Sequence, residues 1–225
     1  EAGASVAVVD LARTKAEEVA AELREKGMHA IALCADVAKE KEVEGMVSDC
    51  VAQLGGLDIA VNNAGVNKNN AAEDTPMDQW DFTFDVNTRG VFMCCKAEAK
   101  HMLKAGGGNI INTASMATLL VPHPQKQCAY NCSKAAVVKM TQTLACEWAD
   151  RNVRVNCMSP GIVNTALIQE SEDLKPLVGE WLNQIPAGRL AEVTDLQAGI
   201  VYLASDASAY MTGHNLVIEG GQSLW

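Results

Sequence analysis

Short apolar runs alternate with amphipathic stretches along this chain, and this alternation restricts its fold more than any other feature. The runs predicted to be strands cover residues 5–9, 29–34, 57–62, 109–113, 153–159 and 215–218. Helical periodicity covers residues 14–26, 39–54, 77–104, 128–149, 165–184 and 193–204. Thr14 is expected to cap the first helix, and breaks are expected near Gly90 and at Pro176. Strands that alternate with helices form a parallel sheet covered on both faces. The predicted fold class is therefore α/β, a doubly wound and mostly parallel sheet, in one domain spanning residues 1–225.

Length and composition limit the classes of protein to which the chain can belong. With 225 residues, 48% of them hydrophobic, it is long enough for one sizeable α/β domain. Its formal net charge of −10 argues against sequence-independent nucleic-acid binding, which needs clustered Lys and Arg. No apolar run approaches the length that spans a bilayer, and no cleavable amino-terminal signal is recognisable. We therefore expect a cytoplasmic protein with a small-molecule ligand and no nucleic-acid or membrane partner.

The eight cysteines and four histidines form no recognisable metal motif. The cysteines include no C-x-x-C pair, and most lie in apolar stretches, where a thiol behaves as a small hydrophobe. Cys128 and Cys132 are spaced i, i+4, but a zinc site needs two further convergent ligands. We expect free, buried or partly buried thiols and no bound metal. His123 differs from the other histidines because its loop, residues 121–125, is expected to line a substrate pocket.

Tyr130 and Lys134 lie four positions apart on a predicted helix, so that the two side chains share a face. A free phenol has a pKa of about 10, and a neighbouring positive charge lowers that pKa because it favours the phenolate. The pair can therefore transfer protons, with Tyr130 as acid or base and Lys134 as the group that tunes it. The spacing by itself is a weak signal, which more often marks an exposed helix face.

Polar and glycine-containing segments follow several of the predicted strands. Ser115 comes directly after the strand at 109–113, fifteen positions before Tyr130. The other segments of this kind, at strand ends or on the long helix, are Asn62-Asn63-Ala64-Gly65, Asn87 and Pro160-Gly161. Ligands of open α/β sheets bind outside the carboxyl ends of the strands. We therefore expect a ligand site at that edge of the sheet.

In this order, these motifs resemble those of the short-chain dehydrogenase/reductase family, from about Ser5 to Gly221. The resemblance implies a Rossmann-like fold and hydride transfer between a nicotinamide cofactor and a carbonyl or alcohol. It implies that Tyr130 donates the proton in reduction and accepts it in oxidation, while Lys134 lowers the phenol pKa and holds the nicotinamide ribose. It also implies that Ser115 hydrogen-bonds the reacting oxygen, and that Asn87 supports Lys134 through a water molecule.

The resemblance implies cofactor contacts as well, at Asp10, Asp36, Val37, Asn63, Ala64, Gly65, Tyr130, Lys134, Pro160, Gly161, Val163 and Thr165. An acidic residue at the end of the family's second strand accepts hydrogen bonds from the adenosine ribose and repels a 2′-phosphate. Asp10 therefore favours NAD(H) over NADP(H), with Arg13 interpreted as a solvated residue of the first helical turn.

The glycine-rich turn with which the family holds the cofactor pyrophosphate is absent, since the sequence contains no G-x-x-x-G-x-G. The chain opens on what resembles the family's second strand, so that a strand, a turn and a helix of roughly thirty residues are missing. Because that first strand is central in a doubly wound sheet, its loss exposes two strand edges. We therefore expect the sequence to be a piece of a longer polypeptide that binds cofactor poorly by itself.

Substrate contacts are implied for Ser115, Ala117, His123, Gln125 and Tyr130, and residues 165–185 are expected to form a mobile helical lid. Residues 125–130 and the carboxyl end, residues 219–225, resemble the polyol dehydrogenase and ketose reductase branch of the family. The sequence thus predicts an NAD(H)-dependent enzyme that acts on a polyol or sugar alcohol. Its family resemblance implies a homo-oligomer, either a tetramer or a dimer.

Alternatives stay open at this point. A reductase of 3-oxoacyl thioesters or of another bulky ketone would share the fold, although Arg89, Lys96 and Lys100 are a sparse basic patch for an acidic acyl carrier. A catalytically inactive fragment or non-catalytic subunit would account for the absent glycine-rich turn. A hydrolase built on Ser115 and His123 is remote, because the chain has no G-x-S-x-G.

Overall fold

The computed structural model describes residues 2–224. Its strands are β1 (Val6–Asp10), β2 (Ala30–Cys34), β3 (Ile59–Asn62), β4 (Gly108–Thr113), β5 (Val153–Pro160) and β6 (Asn215–Ile218). Its helices are α1 (Arg13–Glu25), α2 (Glu40–Leu54), α3 (Met77–Phe84), α4 (Val91–Ala105), α5 (Cys128–Trp148), α6 (Ala166–Glu170), α7 (Val178–Gln184) and α8 (Val193–Ala204). The predicted alternation of strands and helices is confirmed. None of the helices within residues 2–224 is both long and apolar enough to cross a membrane.

Every strand pair is parallel, which confirms the predicted α/β class. β1 pairs with β2, and β3, β4, β5 and β6 pair in that order, but no ladder between described residues joins β1 to β3. The sheet is therefore in two parts, and β3 keeps an unpaired edge. Ile59 and Val61 of β3 expose 39% and 46% of their surface, whereas Ala60 and Asn62, on the opposite face, are buried. Both faces of a parallel sheet are normally covered, so this outer face of β3 is unusual.

Helices cover both faces of the sheet at β4 and β5. Ile110 of β4 and Val155 of β5 point to one face, where they pack with Met102 of α4 and Val137 of α5. On the other face, neighbouring strand residues pack against Leu203 of α8. This two-sided burial is why β4 and β5 read as almost continuous apolar runs.

The start of α1 differs from the prediction, because Thr14 does not cap it. The helix is preceded by Ala12, which offers no side-chain cap. Instead, the backbone N–H of Ala12 donates to Asp10 Oδ1 at 2.9 Å. Only two residues separate β1 from α1, so the carboxylate that ends the strand reaches the residue directly before the helix.

The interruption predicted near Gly90 is a π-helical segment, Asp85–Gly90, which joins α3 to α4. A Cβ on Gly90 would lie 3.0 Å from the carbonyl oxygen of Val37, so the helix passes close to the chain that follows β2. Such segments are rare within α-helices and are frequent at functional sites. Asn87, which is fully buried, lies in this segment.

The chain between β5 and α8 is a helical insert, as predicted, and consists of α6, a 3₁₀ turn at Lys175–Leu177 and α7. The 3₁₀ turn contains Pro176, which agrees with the predicted break. Trp181 and Ile185 are buried in an apolar cluster that belongs to the insert. That this insert is a mobile lid stays a prediction.

Candidate active site

The site is built at the carboxyl ends of β3, β4 and β5, which meet at one edge because the strands are parallel. β4 ends at Thr113 and leads to Ser115, while the first turns of α5 carry Tyr130 and Lys134. Chain order alone separates these residues widely, and the sheet brings them together.

Ser115 and Tyr130 form the first contact of the site. Ser115 is 8% exposed, and its Oγ accepts the backbone N–H of Ala117 at 3.2 Å, which orients the hydroxyl. Burial raises the pKa of Tyr130 above its usual value, and the Ser115 hydroxyl, which hydrogen-bonds the phenol, opposes that shift. The phenol of Tyr130 thus lies beside a second hydroxyl, that of Ser115.

Lys134 lies one helical turn further along and is almost fully buried, with 3% of its surface exposed. Its Nζ donates to the backbone carbonyl of Thr113 at 2.7 Å and lies 5.8 Å from the centre of the Tyr130 ring. Burial lowers the pKa of Lys134 to about 8. The expected lowering of the Tyr130 pKa by Lys134 is absent here: burial raises that pKa, and only the Ser115 hydroxyl opposes the shift.

Asn87 lies behind Lys134 and is fully buried. Its Oδ1 accepts the N–H of Val66 at 2.8 Å, and its Nδ2 donates to the Val66 carbonyl at 2.9 Å and to Ser133 Oγ at 3.0 Å. A Cβ on Gly65 would lie 3.4 Å from both Asn87 Oδ1 and Lys134 Nζ, so these two polar groups flank the same glycine. Asn87 therefore shapes the wall of the site next to the ammonium group.

The residues of the Asn-Asn-Ala-Gly block open onto the same edge. Asn63, Ala64 and Gly65 are exposed, and Asn63 Oδ1 accepts the hydroxyl of Thr113 at 3.1 Å. This block is therefore both anchored to β4 and accessible to a ligand.

The residues predicted to meet the adenosine lie on the smaller part of the sheet. Asp10 is exposed at the end of β1, and Asp36 Oδ1 accepts the N–H of Ala38 at 3.0 Å in the loop after β2. Val37 packs towards α2 and α4. No hydrogen bond within residues 2–224 joins this group to Tyr130 or Lys134. The close approach of Gly90 to Val37 links this part of the sheet to the π-helical segment that carries Asn87.

The predicted segment after β5 takes a tight path. The N–H of Gly161 donates to the carbonyl of Ile218 at 2.8 Å, and a Cβ on Gly161 would lie 2.7 Å from the Cα of Glu219. Only glycine fits this approach. Pro160 ends β5, Val163 forms a bridge with Ala191, and Thr165 precedes α6.

Two of the predicted substrate residues contact the helical insert rather than the Ser115–Tyr130 pair. His123 Nδ1 lies 3.0 Å from Glu180 Oε1, with 72% of the histidine side chain exposed. Gln125 Oε1 accepts the indole N–H of Trp181 at 3.0 Å. Ala117, in contrast, is buried directly beside Ser115. The loop before α5 is therefore joined to α7.

Several polar residues of this region were not predicted. Thr113 holds Lys134 through a backbone carbonyl, which leaves no signal in the sequence. Gln127, only 6% exposed, accepts from Asn67 Nδ2 at 2.9 Å and donates to Asn131 Oδ1 at 2.9 Å. The density of amide residues at 67–70 and 125–131 was the available signal for this second network.

The cysteines and histidines add no metal site, since no group of three or more His, Cys, Asp or Glu in residues 2–224 is arranged to hold a metal ion. All eight cysteines are free thiols, which confirms that expectation. We expected buried or partly buried thiols, and only half of the cysteines are buried. Four are buried, namely Cys50, Cys94, Cys95 and Cys157, and four are exposed, namely Cys34, Cys128, Cys132 and Cys146.

The sequence is similar to known oxidoreductases over almost its whole length. A family model described as "Enoyl-(Acyl carrier protein) reductase" matches residues 1–223. D-threitol dehydrogenase of Mycolicibacterium smegmatis is 40% identical over 223 residues, which are 99% of this chain and 84% of that protein. An NAD-dependent glycerol dehydrogenase of Listeria innocua is 36% identical, covering 100% of this chain and 86% of that protein. A 3-oxoacyl-[acyl-carrier-protein] reductase of Staphylococcus epidermidis is 37% identical, covering 94% of this chain and 85% of that protein.

Solved structures give the same result. A short-chain type dehydrogenase/reductase from Mycobacterium marinum superposes with a TM-score of 0.94 at 40% identity, covering 98% of this chain and 86% of that one. An NAD⁺-bound xylitol dehydrogenase has a TM-score of 0.89 at 32% identity, covering 96% of this chain and 88% of that one. A gluconate 5-dehydrogenase from Burkholderia cenocepacia, in complex with NADP and tartrate, has a TM-score of 0.89 at 29% identity, covering 99% and 87%.

Proposed function

The chain belongs to the short-chain dehydrogenase/reductase family, and from that premise we propose that it transfers a hydride between NAD(H) and a secondary alcohol or ketone, with a polyol or sugar alcohol as substrate. The observation that carries this proposal is the shared site of Ser115, Tyr130 and Lys134. The 40% identity to D-threitol dehydrogenase supports the polyol class.

The residues present fit a nicotinamide cofactor. Such a cofactor, when bound, supplies or accepts the hydride. An ammonium group has three donors, and Lys134 Nζ has a single hydrogen-bond acceptor among residues 2–224, the carbonyl of Thr113. The remaining donors fit the hydroxyls of a ribose. The exposed Asn63, Ala64 and Gly65 offer backbone groups and open space beside that ammonium.

Proton transfer is assigned to Tyr130. Its phenol gives a proton to the substrate oxygen in reduction and takes one in oxidation, while the Ser115 hydroxyl donates to the same oxygen. Because burial raises the pKa of Tyr130, the phenolate depends on nearby stabilising groups. The Ser115 hydroxyl provides one of them. We propose that Lys134 contributes by holding the cofactor ribose beside the phenol, so the loss of either residue is expected to reduce turnover.

Asp10 supports NAD(H) rather than NADP(H). Its carboxylate is exposed at the end of β1, where it would repel a 2′-phosphate. Asp10→Asn keeps the oxygen that accepts the Ala12 N–H but removes the charge, so we expect the preference for NAD(H) to fall by roughly tenfold, equivalent to about 1.4 kcal/mol. Titration of both reduced cofactors by fluorescence measures this ratio, and an unchanged ratio would contradict the role of Asp10.

The arrangement of cations favours a polyol over an acyl-carrier substrate. Lys96 Nζ lies 2.8 Å from Glu40 Oε1, and Lys100 Nζ lies 3.4 Å from Glu44 Oε1. Arg89 also has an acidic neighbour on its own helix. Because these cations are paired, they do not form a free basic patch for an acidic carrier. The 37% identity to a 3-oxoacyl reductase keeps that activity as the second candidate.

We further propose that residues 165–185 act as the lid, that the protein assembles as a homo-oligomer, and that it works in the cytoplasm. The contacts of His123 and Gln125 with α7 support the lid, because they join it to the loop before Tyr130.

Activity assays test the proposed function. NADH formation or consumption at 340 nm is followed with threitol, xylitol, glycerol and the matching ketoses, and then with 3-oxoacyl thioesters. In a protein that also carries a glycine-rich pyrophosphate turn, we expect turnover with the polyols or ketoses, and Tyr130→Phe is expected to lower kcat by about 10²–10⁴-fold. Tyr210→Phe is the matched control, because Tyr210 is fully exposed at 106%.

The assay also decides between the alternatives. Turnover confined to 3-oxoacyl thioesters would favour the second candidate. NAD(H) binding without turnover on either class would favour a non-catalytic subunit, and the absence of NAD(H) binding would favour an inactive fragment. Retained activity in Tyr130→Phe would overturn the assignment of the proton donor.

A further inference from the structure

A carboxyl group is buried beneath the site in a network that the proposed mechanism does not use. Glu98, on α4, is 4% exposed. Asn62 Nδ2 donates to Glu98 Oε2 at 3.0 Å and to Asn112 Oδ1 at 3.1 Å. Asn112 Nδ2 in turn donates to Thr141 Oγ1, on α5, at 3.0 Å. The network therefore joins α4, β3, β4 and α5 by side chains alone.

The two asparagines stand directly before residues that form the site. Asn62 precedes Asn63 and Asn112 precedes Thr113, and Thr113 Oγ1 donates to Asn63 Oδ1 at 3.1 Å. The carbonyl of the same threonine accepts the ammonium proton of Lys134 at 2.7 Å. The network thus holds β3 and β4 near their carboxyl ends, and Thr113, the residue after Asn112, accepts the hydrogen bond of Lys134.

Burying a carboxyl group at this position, where Glu98 is 4% exposed, costs free energy of folding. Its pKa is raised to about 7 by burial, although the hydrogen bond from Asn62 opposes the shift. The titratable groups that face it are Cys50 from α2 and Cys94 and Cys95 from its own helix, while β3 and β4 present amides. No cation among the described residues offsets its charge. An apolar side chain would be less costly here, so stability alone does not explain the carboxyl group.

We propose that Glu98 is a positioning residue, which acts through Asn62 and Thr113 to hold the Lys134 ammonium in its catalytic orientation. The role of Lys134 that this serves rests on the proposed function. The placement of Lys134 itself does not, because it can be measured without turnover.

The experiment compares Glu98→Leu with Glu98→Gln in the full chain. Gln keeps an oxygen for the Asn62 amide and the same volume, whereas Leu removes the acceptor. Lysine labelled with ¹³C at Cε reports each titration by NMR, and the resonance that disappears in Lys134→Arg identifies Lys134. We expect the pKa of Lys134 to fall by about one unit in Glu98→Leu, because a hydrogen bond to the charged form is weakened, and to be unchanged in Glu98→Gln.

Turnover gives a second measurement. In Glu98→Leu, kcat is expected to fall by about tenfold to a hundredfold with a smaller change in KM, and Glu98→Gln is expected to restore it. Met93→Ala is the control for a general loss of stability, since Met93 is a buried residue of α4 in a separate apolar cluster with Val43 and Val47. This control is expected to leave the titration of Lys134 unchanged.

The possible results distinguish a failure of the proposal about Glu98 from a failure of the proposed function. Equal Lys134 titrations in the wild type, Glu98→Leu and Glu98→Gln overturn the proposal, as does an equal shift in Met93→Ala. If Glu98→Leu does not fold, Asn62→Ala interrupts the same path and is expected to produce the same shift, and no shift there overturns the proposal. Absence of any hydride transfer by the wild type would refute the proposed function, whereas the NMR titration still decides the placement of Lys134.

Discussion

Lys134 shows how burial in the site changes the pKa of a single residue. The residue is 3% exposed, its ammonium donates to one carbonyl, and burial lowers its pKa to about 8. The spacing from Tyr130 correctly predicted that the two residues share a helix face. It did not predict that burial would also raise the pKa of the phenol, because burial depends on what packs around α5. The sequence identified the pair, and its electrostatics depend on the fold.

Lys134→Met tests the cost of burying the lysine charge, because methionine fills a similar volume without a charge. Below a pH of about 8 the wild type carries the full cost of the buried charge. Between this pKa and the usual value of 10.5, the folded lysine is neutral while the unfolded one still binds a proton, so wild-type stability rises with pH.

The free energy of unfolding of the wild type is therefore expected to gain up to about 3 kcal/mol relative to Lys134→Met as the pH rises through this window. Urea denaturation at several pH values measures the difference. A difference that does not vary with pH would contradict a charged, buried Lys134. The same substitution is expected to abolish turnover and weaken binding of NAD(H).

Among the elements, the π-helical segment between α3 and α4 is the most specific to the site. The glycine at its end was recognised as an interruption of helical periodicity, but not as a contact. Gly90 lies against Val37, a residue of the loop after β2, while Asn87 in the same segment holds Val66. The segment therefore links the smaller part of the sheet to the wall of the site.

Gly90→Ala tests whether this close approach is required. The added Cβ would lie 3.0 Å from the Val37 carbonyl oxygen and 3.2 Å from the Asp85 carbonyl oxygen, and neither backbone atom moves freely. We expect a loss of about 1–3 kcal/mol in the free energy of unfolding, together with weaker NAD(H) binding.

The matched control for this substitution is Gly45→Ala. Gly45 is exposed within α2, and its added Cβ would meet nothing within 4 Å. Alanine is the better helix former, so this variant is expected to gain about 0.5–1 kcal/mol. Equal effects of the two substitutions on stability would contradict a steric role for Gly90.

Taken as a whole molecule, the protein has an acidic surface and a parallel sheet in two parts. Ile59 and Val61 form an exposed apolar strip on β3, beside an unpaired edge. Exposed apolar residues next to an unpaired strand edge favour association with other chains and binding of apolar dyes. β4 and β5, which are covered on both faces, are expected to be the most stable strands of the sheet.

Val61→Thr is expected to reduce the binding of the dye 8-anilinonaphthalene-1-sulfonate, because threonine keeps the β-branched shape but presents a hydroxyl. Val121→Thr is the control, since Val121 is 81% exposed on a loop that has no strand edge. Dye fluorescence at fixed protein concentration measures both. Equal decreases would show that exposure alone, and not the strand edge, attracts the dye. Stability is expected to change by less than about 0.5 kcal/mol in either variant.

The sequence alone determined the order of strands and helices and the parallel class, and it indicated Ser115, Tyr130 and Lys134 as candidate site residues, because hydrophobic periodicity and short motifs are local properties of the chain. The tertiary structure decided the contacts between distant segments: Thr113 with Lys134, Asn62 with Glu98, and Gln125 with Trp181. It also decided how burial shifts the pKa values of the site. Those contacts depend on backbone groups and on burial, which arise only when strands far apart in sequence are packed side by side, so no local pattern records them.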